Sequence, residues 1–323
     1  MKNIWIDGMM GVVVGDALGM PVQFVDRVEL KNNPVKTMEG YGTYNMPPGT
    51  WSDDSSMALA TLDSIREKGD IDYSDIMERF VRWTFYGEYT PAGKAFDQGN
   101  TCMEAIYNYV RDKDYKTCGK TGEWANGNGA LMRIVPACLY AYEKVRVKEW
   151  ELKQALECVH QTSALTHNHL RSKLACGIYY FMIKNIIEGC GSLRERLQCG
   201  VDDAVRFYHE DDVANHEELV HYTRLFHLDE FAKCNEDVIK SSGYVVDSLE
   251  AAVWSLITTD SLEECLLKAV NLGDDSDTVG AIAGGLTVLY YGYDSVPKEW
   301  KNQIIKEEEI IDLCKIMEGK INV

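Results

Sequence analysis

Apolar positions recur every three or four residues along most of the chain and alternate in twos almost nowhere, which predicts helices joined by short loops. Residues 53–66 show the pattern: Met57, Leu59, Leu62 and Ile65 fall near one stripe, and Gly69 supplies a stop signal. Comparable periodicity marks 72–86, 101–111, 129–143, 149–161, 169–188, 194–208, 244–257, 261–271, 278–291 and 306–318. Gly11, Gly15 and Gly19 recur every fourth residue, and Val279 to Leu286 repeats the device with Gly280 and Gly284. A glycine costs a helix about 1 kcal/mol relative to alanine, so two bare stripes predict segments packed closely at the centre of the core. No linker rich in Pro, Gly or Ser and no internal repeat divides the chain. The expectation is one all-α domain over residues 1–323.

Composition and charge narrow the function. The 323 residues are 46% hydrophobic and 26% charged, as in ordinary globular proteins, which excludes a disordered or fibrous chain. With 33 basic and 51 acidic residues the formal charge is −18, and no Lys/Arg cluster offsets it, so a general nucleic-acid binder is excluded. No run reaches the roughly 20 uninterrupted apolar residues of a membrane span. Residues 1–20 faintly resemble a secretory leader, but Asp7 and Asp16 bracket the apolar run too closely. A cytoplasmic chain is expected. Its ten cysteines are scattered without C-x-x-C or zinc-like spacing, which predicts reduced thiols.

Two dense acidic clusters carry the candidate chemistry: Thr50 to Ser56, with Ser52, Asp53 and Asp54, and Gly273 to Thr278, with Asp274, Asp275 and Asp277. Each directly precedes an apolar helix, where Ser52 or Ser276 could cap and nearby Asp would favour the positive end. Capping accounts for one or two acidic groups per cluster, whereas adjacent carboxylates repel. Hard divalent cations would remove that repulsion, since they prefer carboxylate and hydroxyl oxygens. A calcium loop fails, because Val279 and Leu286 occupy ligand positions 5 and 12. Asp275-x-Asp277-x-Val279 also matches the haloacid-dehalogenase-type phosphatase signature, which requires a preceding strand where 266–272 reads as helix. Three quieter segments complete the set. Ala125 to Arg133 is a Gly/Asn-rich turn, suited to an anion or simply a turn. Thr162 to His169 holds hydroxyls and two imidazoles before a helix, and Ala95 to Thr101 would cap another.

Together, and in this order, these segments resemble the ADP-ribosylglycohydrolase family, which includes dinitrogenase-reductase-activating glycohydrolases and ADP-ribosyl-arginine and ADP-ribosyl-serine hydrolases. The resemblance runs from Gly11-x-x-x-Gly15 Asp16 Ala17 Leu18 Gly19 to Thr278 Val279 Gly280 Ala281 Ile282 Ala283 Gly284. It implies an all-α fold with two divalent ions, Mg²⁺ or Mn²⁺, between the first and last acidic clusters. Ser52, Asp53 and Asp54 look like one ligand group, and Asp275, Asp277 and Thr278 like the other. The segment Phe96 to Thr101 is similar to the one that brings Asp97 beside the scissile bond, with Asn100 facing substrate. Asn126, Gly127, Asn128 and Gly129 resemble the loop around the diphosphate and ribose, and Thr166 His167 the pair beside the ADP moiety. The implied reaction is hydrolysis of the bond between ADP-ribose and a protein side chain, arginine first, or a small acceptor. Asp97, Asp53 or Asp275 would assist attack at C1″. Gln23 departs from the family's glutamate, which raises a binding-only member as the alternative. A further alternative is the phosphatase. Asp211 to Asn235 is expected as a specificity loop or a solvated helix pair.

Overall fold

The glycine stripes decide the centre of the molecule. The computed structural model describes residues 3–211 and 213–320. Its helices are α1 (Ile4–Gly19), α2 (Arg27–Asn32), α3 (Asp53–Lys68), α4 (Tyr73–Tyr86), α5 (Asn100–Asp112), α6 (Val135–Arg146), α7 (Leu152–Ala164) and α8 (Leu170–Glu188). After these come α9 (Leu193–Asp211), α10 (Val213–Leu219), α11 (Leu228–Phe231), α12 (Val245–Ile257), α13 (Leu262–Val270), α14 (Ser276–Tyr291), α15 (Lys298–Lys301) and α16 (Glu307–Lys320). No strand forms among the described residues, only the isolated bridges Lys120–His167 and Gly127–Tyr244. The fold is therefore all-α.

The α1–α14 pair is the most extensive helix contact. A Cβ on Gly15 would overlap the Gly280 carbonyl, one on Gly11 that of Gly284, and one on Gly19 that of Ser276. Rising numbers on α1 thus meet falling numbers on α14, so the helices run antiparallel with backbones touching. This crossing brings the C-terminal half of α1, with Asp16, against the N-terminus of α14, with Asp277. Residues 4–22 are apolar and long enough to cross a membrane by length and composition alone, yet 89% of that window is buried inside the protein.

Three expectations change. The apolar run 129–143 does not start a helix at Gly129. Residues 129–133 form turns and α6 begins at Val135, where Pro136 occupies the first turn that tolerates its missing N–H. Ser276 does not cap α14; its hydroxyl donates to the Gly19 carbonyl at 2.9 Å and ties the two central helices together. Of the segment expected as a specificity loop or a solvated helix pair, residues 213–231 are mostly helical, but Leu219, Tyr222, Leu225, Leu228 and Phe231 anchor α10, α11 and the turn between them in the core rather than leaving them solvated. The helix expected before Asp275 is present as α13, so the strand that the phosphatase signature requires is absent and that reading falls.

Candidate active site

Asp16 sits in the apolar wall of α1 and takes a part that its local pattern does not announce. Its Oδ1 and Oδ2 each accept from the Ser52 N–H at 2.9 Å, and Oδ2 also accepts from the Ser55 N–H at 3.1 Å and the Ser55 hydroxyl at 2.6 Å. Asp16 thereby caps the start of α3 from outside and pins it to α1. Because α14 begins at the same place, both acidic clusters converge although about 220 residues separate them. The Thr278 hydroxyl donates to Asp54 Oδ1 at 3.2 Å. Oxygens of Asp16, Asp54 and Asp277 lie within 4.8 Å of one another, and all three residues are buried.

The electrostatics of this cluster are unfavourable as they stand. Burial, followed by the neighbouring carboxylates, raises Asp53, Asp54 and Asp277 well above the usual carboxylate value. Burial lifts Asp16 to about 7, against the lowering effect of its hydrogen bonds. Asp275 is raised by burial too, with the Asn128 amide pulling the other way. The positive N-termini of α3 and α14 offset part of the repulsion. Asp277 Oδ1 accepts from the Thr278 N–H at 2.9 Å, while its buried Oδ2 has no partner. Asp53 accepts no hydrogen bond among the described residues and faces the cleft. Clustered carboxylate and hydroxyl oxygens with orphaned acceptors fit a hard divalent cation. A metal can be held here by Asp54 and Asp277, with Asp53, Asp275 and Thr278 beside them. Ser52 plays its capping part: its Oγ accepts from the Asp54 N–H at 3.4 Å and donates to Asp54 Oδ2 at 3.2 Å.

A cleft opens from the cluster. Gln23, Asp53, Asp97, Asn100, Asp275 and Thr278 line it together with Gly127, Asn128, Gly129 and His167. Asp97 is held with φ of 55°, and the Tyr44 hydroxyl donates to its Oδ1 at 2.6 Å. Burial, then Asp97, pushes the Tyr44 phenol far up, so it remains a donor. Asn128 Nδ2 donates to Asp275 Oδ2 at 2.6 Å and to Ser248 at 2.9 Å, which ties the glycine-rich loop to both α12 and the acidic cluster. Gln23, only 4% exposed, donates to Asp275 Oδ1 at 3.4 Å, and its Oε1 has no partner. Asn126 is the one expected contact that turns away: its amide donates to the Glu123 carbonyl at 2.9 Å and accepts from Ser172 at 3.1 Å. It lines a second pocket, which shares Gly127 and Gly243 with the cleft. His167 is buried and held neutral, its imidazole pulled down to about 3 by burial and then by Arg133.

Asp16 and Tyr44 are the site residues the sequence reading missed. Asp16 was visible only as the acidic member of Gly15 Asp16 Ala17 Leu18 Gly19, and Tyr44 had no local signal.

Comparison with known proteins places this geometry. The "ADP-ribosyl-[dinitrogen reductase] glycohydrolase" of Rhodospirillum rubrum is 32% identical over 302 residues, covering 93% of this chain and 89% of the relative. The "ADP-ribosylarginine hydrolase Tri1" of Serratia proteamaculans (strain 568) is 31% identical over 307 residues, covering 95% and 76%. A solved structure titled "ADP-ribosylglycohydrolase-related protein complex" superposes with a TM-score of 0.77 at 28% identity, covering 98% of this chain and 96% of that one. The family model for ADP-ribosylglycohydrolase matches residues 5–322. With both acidic clusters, the Asp97 segment and the glycine-rich loop on one cleft, the chain belongs to the ADP-ribosylglycohydrolase family.

Proposed function

We propose that this protein is a divalent-metal-dependent hydrolase that cleaves the glycosidic bond between ADP-ribose and an arginine side chain, acting in the cytoplasm on ADP-ribosylated protein or a related small molecule. The observation that carries the reading is the convergence of Asp54, Asp277 and Thr278 beside a cleft that Asp53, Asp97, Asn128, Gly129 and His167 line. Arginine as acceptor draws support from the hydrolase of Serratia proteamaculans, which is named for that linkage. Ten unpaired cysteines, seven of them buried, suit a reducing compartment.

Asp53, Asp54, Asp275, Asp277 and Thr278 would hold one or two Mg²⁺ or Mn²⁺ ions, with Ser52 behind them. Bound there, the ions would supply Lewis-acid polarisation of the distal ribose hydroxyls and of water. The remaining work falls to the chain itself. Asn128 and Gln23 fix the Asp275 carboxylate, and Tyr44 fixes Asp97. Asp97 stands where it can take the proton of a water as the O–C1″ bond forms and the C1″–N bond lengthens, leaving the guanidine to be protonated. The loop at 127–129 and His167 hold the ADP portion. The test is release of ADP-ribose from an ADP-ribosyl-arginine substrate with Mg²⁺ and with chelator: turnover only with metal supports the reading. Binding of ADP-ribose without hydrolysis of that linkage, or of serine and O-acetyl linkages, would favour the binding-only alternative.

Two consequences follow from the site. Gln23→Glu removes the amide that donates to Asp275 and adds another carboxylate, so kcat is expected to change by less than about tenfold, since Asp97 supplies the base. A gain of 10²–10⁴-fold would show instead that a carboxylate at position 23 is required. The raised carboxylates also fix a pH dependence. Their contribution to stability without metal is fully present below the unfolded value near 3.8 and is lost as pH rises through the folded values, about 7 for Asp16. A divalent ion must displace those protons, so the gain in melting temperature with saturating Mg²⁺ should grow between about pH 4 and pH 7. Differential scanning fluorimetry across that window checks it, and a flat or falling gain would contradict it.

A further inference from the structure

The break before α6 has a purpose beyond starting a helix at Val135. It turns Arg133 inward, where the side chain is 0% exposed and stacks over the Phe80 ring at 4.9 Å. No carboxylate pairs with this guanidinium among the described residues. Nη2 donates to the Thr162 carbonyl at 3.2 Å and to Thr166 Oγ1 at 2.8 Å, while Nε and Nη1 have no partner. A buried cation without a counter-ion is costly, and in a chain of charge −18 its isolation from every acid calls for an explanation.

Thr166 stands between this cation and the cleft, with Oγ1 2.9 Å from His167 Nδ1. Arginine only donates, so one lone pair of Thr166 is committed to it. The adjacent positive charge polarises the hydroxyl, making it a better donor and a poorer acceptor. Two groups can receive its proton: Nδ1 and the Cys102 sulfur. Sulfur is the weaker acceptor, and the Cys102 thiol already points at the Gly129 carbonyl at 3.8 Å. Nδ1 therefore accepts, and a neutral imidazole must carry its proton on Nε2. The ring is seated without play. A Cβ on Gly129 would lie 2.9 Å from His167 Cε1, and one on Gly127 would lie 3.3 Å from Nε2. His167 lines the cleft, and among the described residues Nε2 has no protein partner.

We propose that Arg133 is a positioning residue: through the Thr166 hydroxyl it locks His167 in the Nε2–H tautomer, giving the cleft a fixed N–H donor for an oxygen of an anionic ligand. The assignment of that ligand as ADP-ribose rests on the function proposed above; the tautomer does not. Because burial keeps the imidazole neutral down to about pH 3, the donor is the same at every working pH.

Long-range ¹H–¹⁵N correlation on the labelled full chain reads which ring nitrogen holds the proton. The wild type is expected to show Nε2–H. Thr166→Val keeps the shape and removes the relay, so it should shift His167 toward Nδ1–H and weaken ADP-ribose binding about tenfold or more. Arg133→Lys, which retains the charge, should largely preserve the wild-type tautomer, and Arg133→Met should lose it. If Arg133→Met does not fold, Thr166→Val still decides. An Nδ1–H imidazole in the wild type, or an unchanged tautomer in Thr166→Val, overturns the proposal. The expected tautomers together with no binding of ADP-ribose by the wild type would uphold the relay and overturn the functional reading instead.

Discussion

Replacing Asp277 with asparagine is expected to abolish turnover while leaving the fold intact. Asn keeps the size and the Oδ1 that accepts from the Thr278 N–H, so local structure loses nothing. It replaces the orphaned Oδ2 with a neutral amide, and so removes a negative charge from a buried cluster that, among the described residues, no lysine or arginine pairs with. If that oxygen holds metal, loss of about 10³-fold in kcat/KM is expected, on the scale of about 4 kcal/mol of transition-state stabilisation. Asp54→Asn should behave alike. Both variants relieve repulsion among carboxylates that burial already disfavours, so the melting temperature in chelator should rise or hold, while the further rise on adding Mg²⁺ disappears. Wild-type turnover in either variant would reduce the residue to a helix-end acid and nothing more.

The second large effect is structural. Gly15→Ala places a methyl group into the Gly280 carbonyl, a backbone atom that cannot rotate away. The α1–α14 pair would have to separate along its length, with a cost of about 3 kcal/mol or more. That is a large share of the roughly 5–15 kcal/mol that holds a domain together. Urea denaturation followed by circular dichroism measures it, with Gly122→Ala as a control, since no atom lies within 4 Å of a Cβ there and the expected change is within about 0.5 kcal/mol. The same separation would slide Asp16 away from Asp277, so surviving Gly15→Ala protein should also respond poorly to Mg²⁺. An unchanged urea midpoint would show that the stripes do not set the helix spacing.

The sequence carried these two features because each is written locally. Four-residue glycine spacing survives as a pattern whatever it packs against, and three Asp in four residues are conspicuous beside a helix end. What the stripes pack against was not local. That Gly11, Gly15 and Gly19 meet Gly284, Gly280 and Ser276 in reverse order follows only from the antiparallel crossing. Asp16 is the clearest loss, because a single acid in an apolar helix reads as a tolerated charge until α3 docks and offers it two N–H groups and a hydroxyl. Tyr44 becomes part of the site only because its loop folds over Asp97. The run at 129–143 misled because Ala130, Leu131 and Met132 are buried in turns as fully as they would be in a helix, and burial rather than helicity sets their apolar character.

The proposed function requires the buried carboxylates of α3 and α14 to hold metal beside a cleft that binds ADP-ribose. Crystals grown with Mn²⁺ and ADP-ribose, with data collected for the anomalous signal of manganese, test it most directly. Anomalous density is expected about 2.1 Å from oxygens of Asp54 and Asp277, with oxygen ligands only and the distal ribose beside it. ADP-ribose bound in the cleft with no anomalous density among Asp53, Asp54, Asp275 and Asp277 would contradict it.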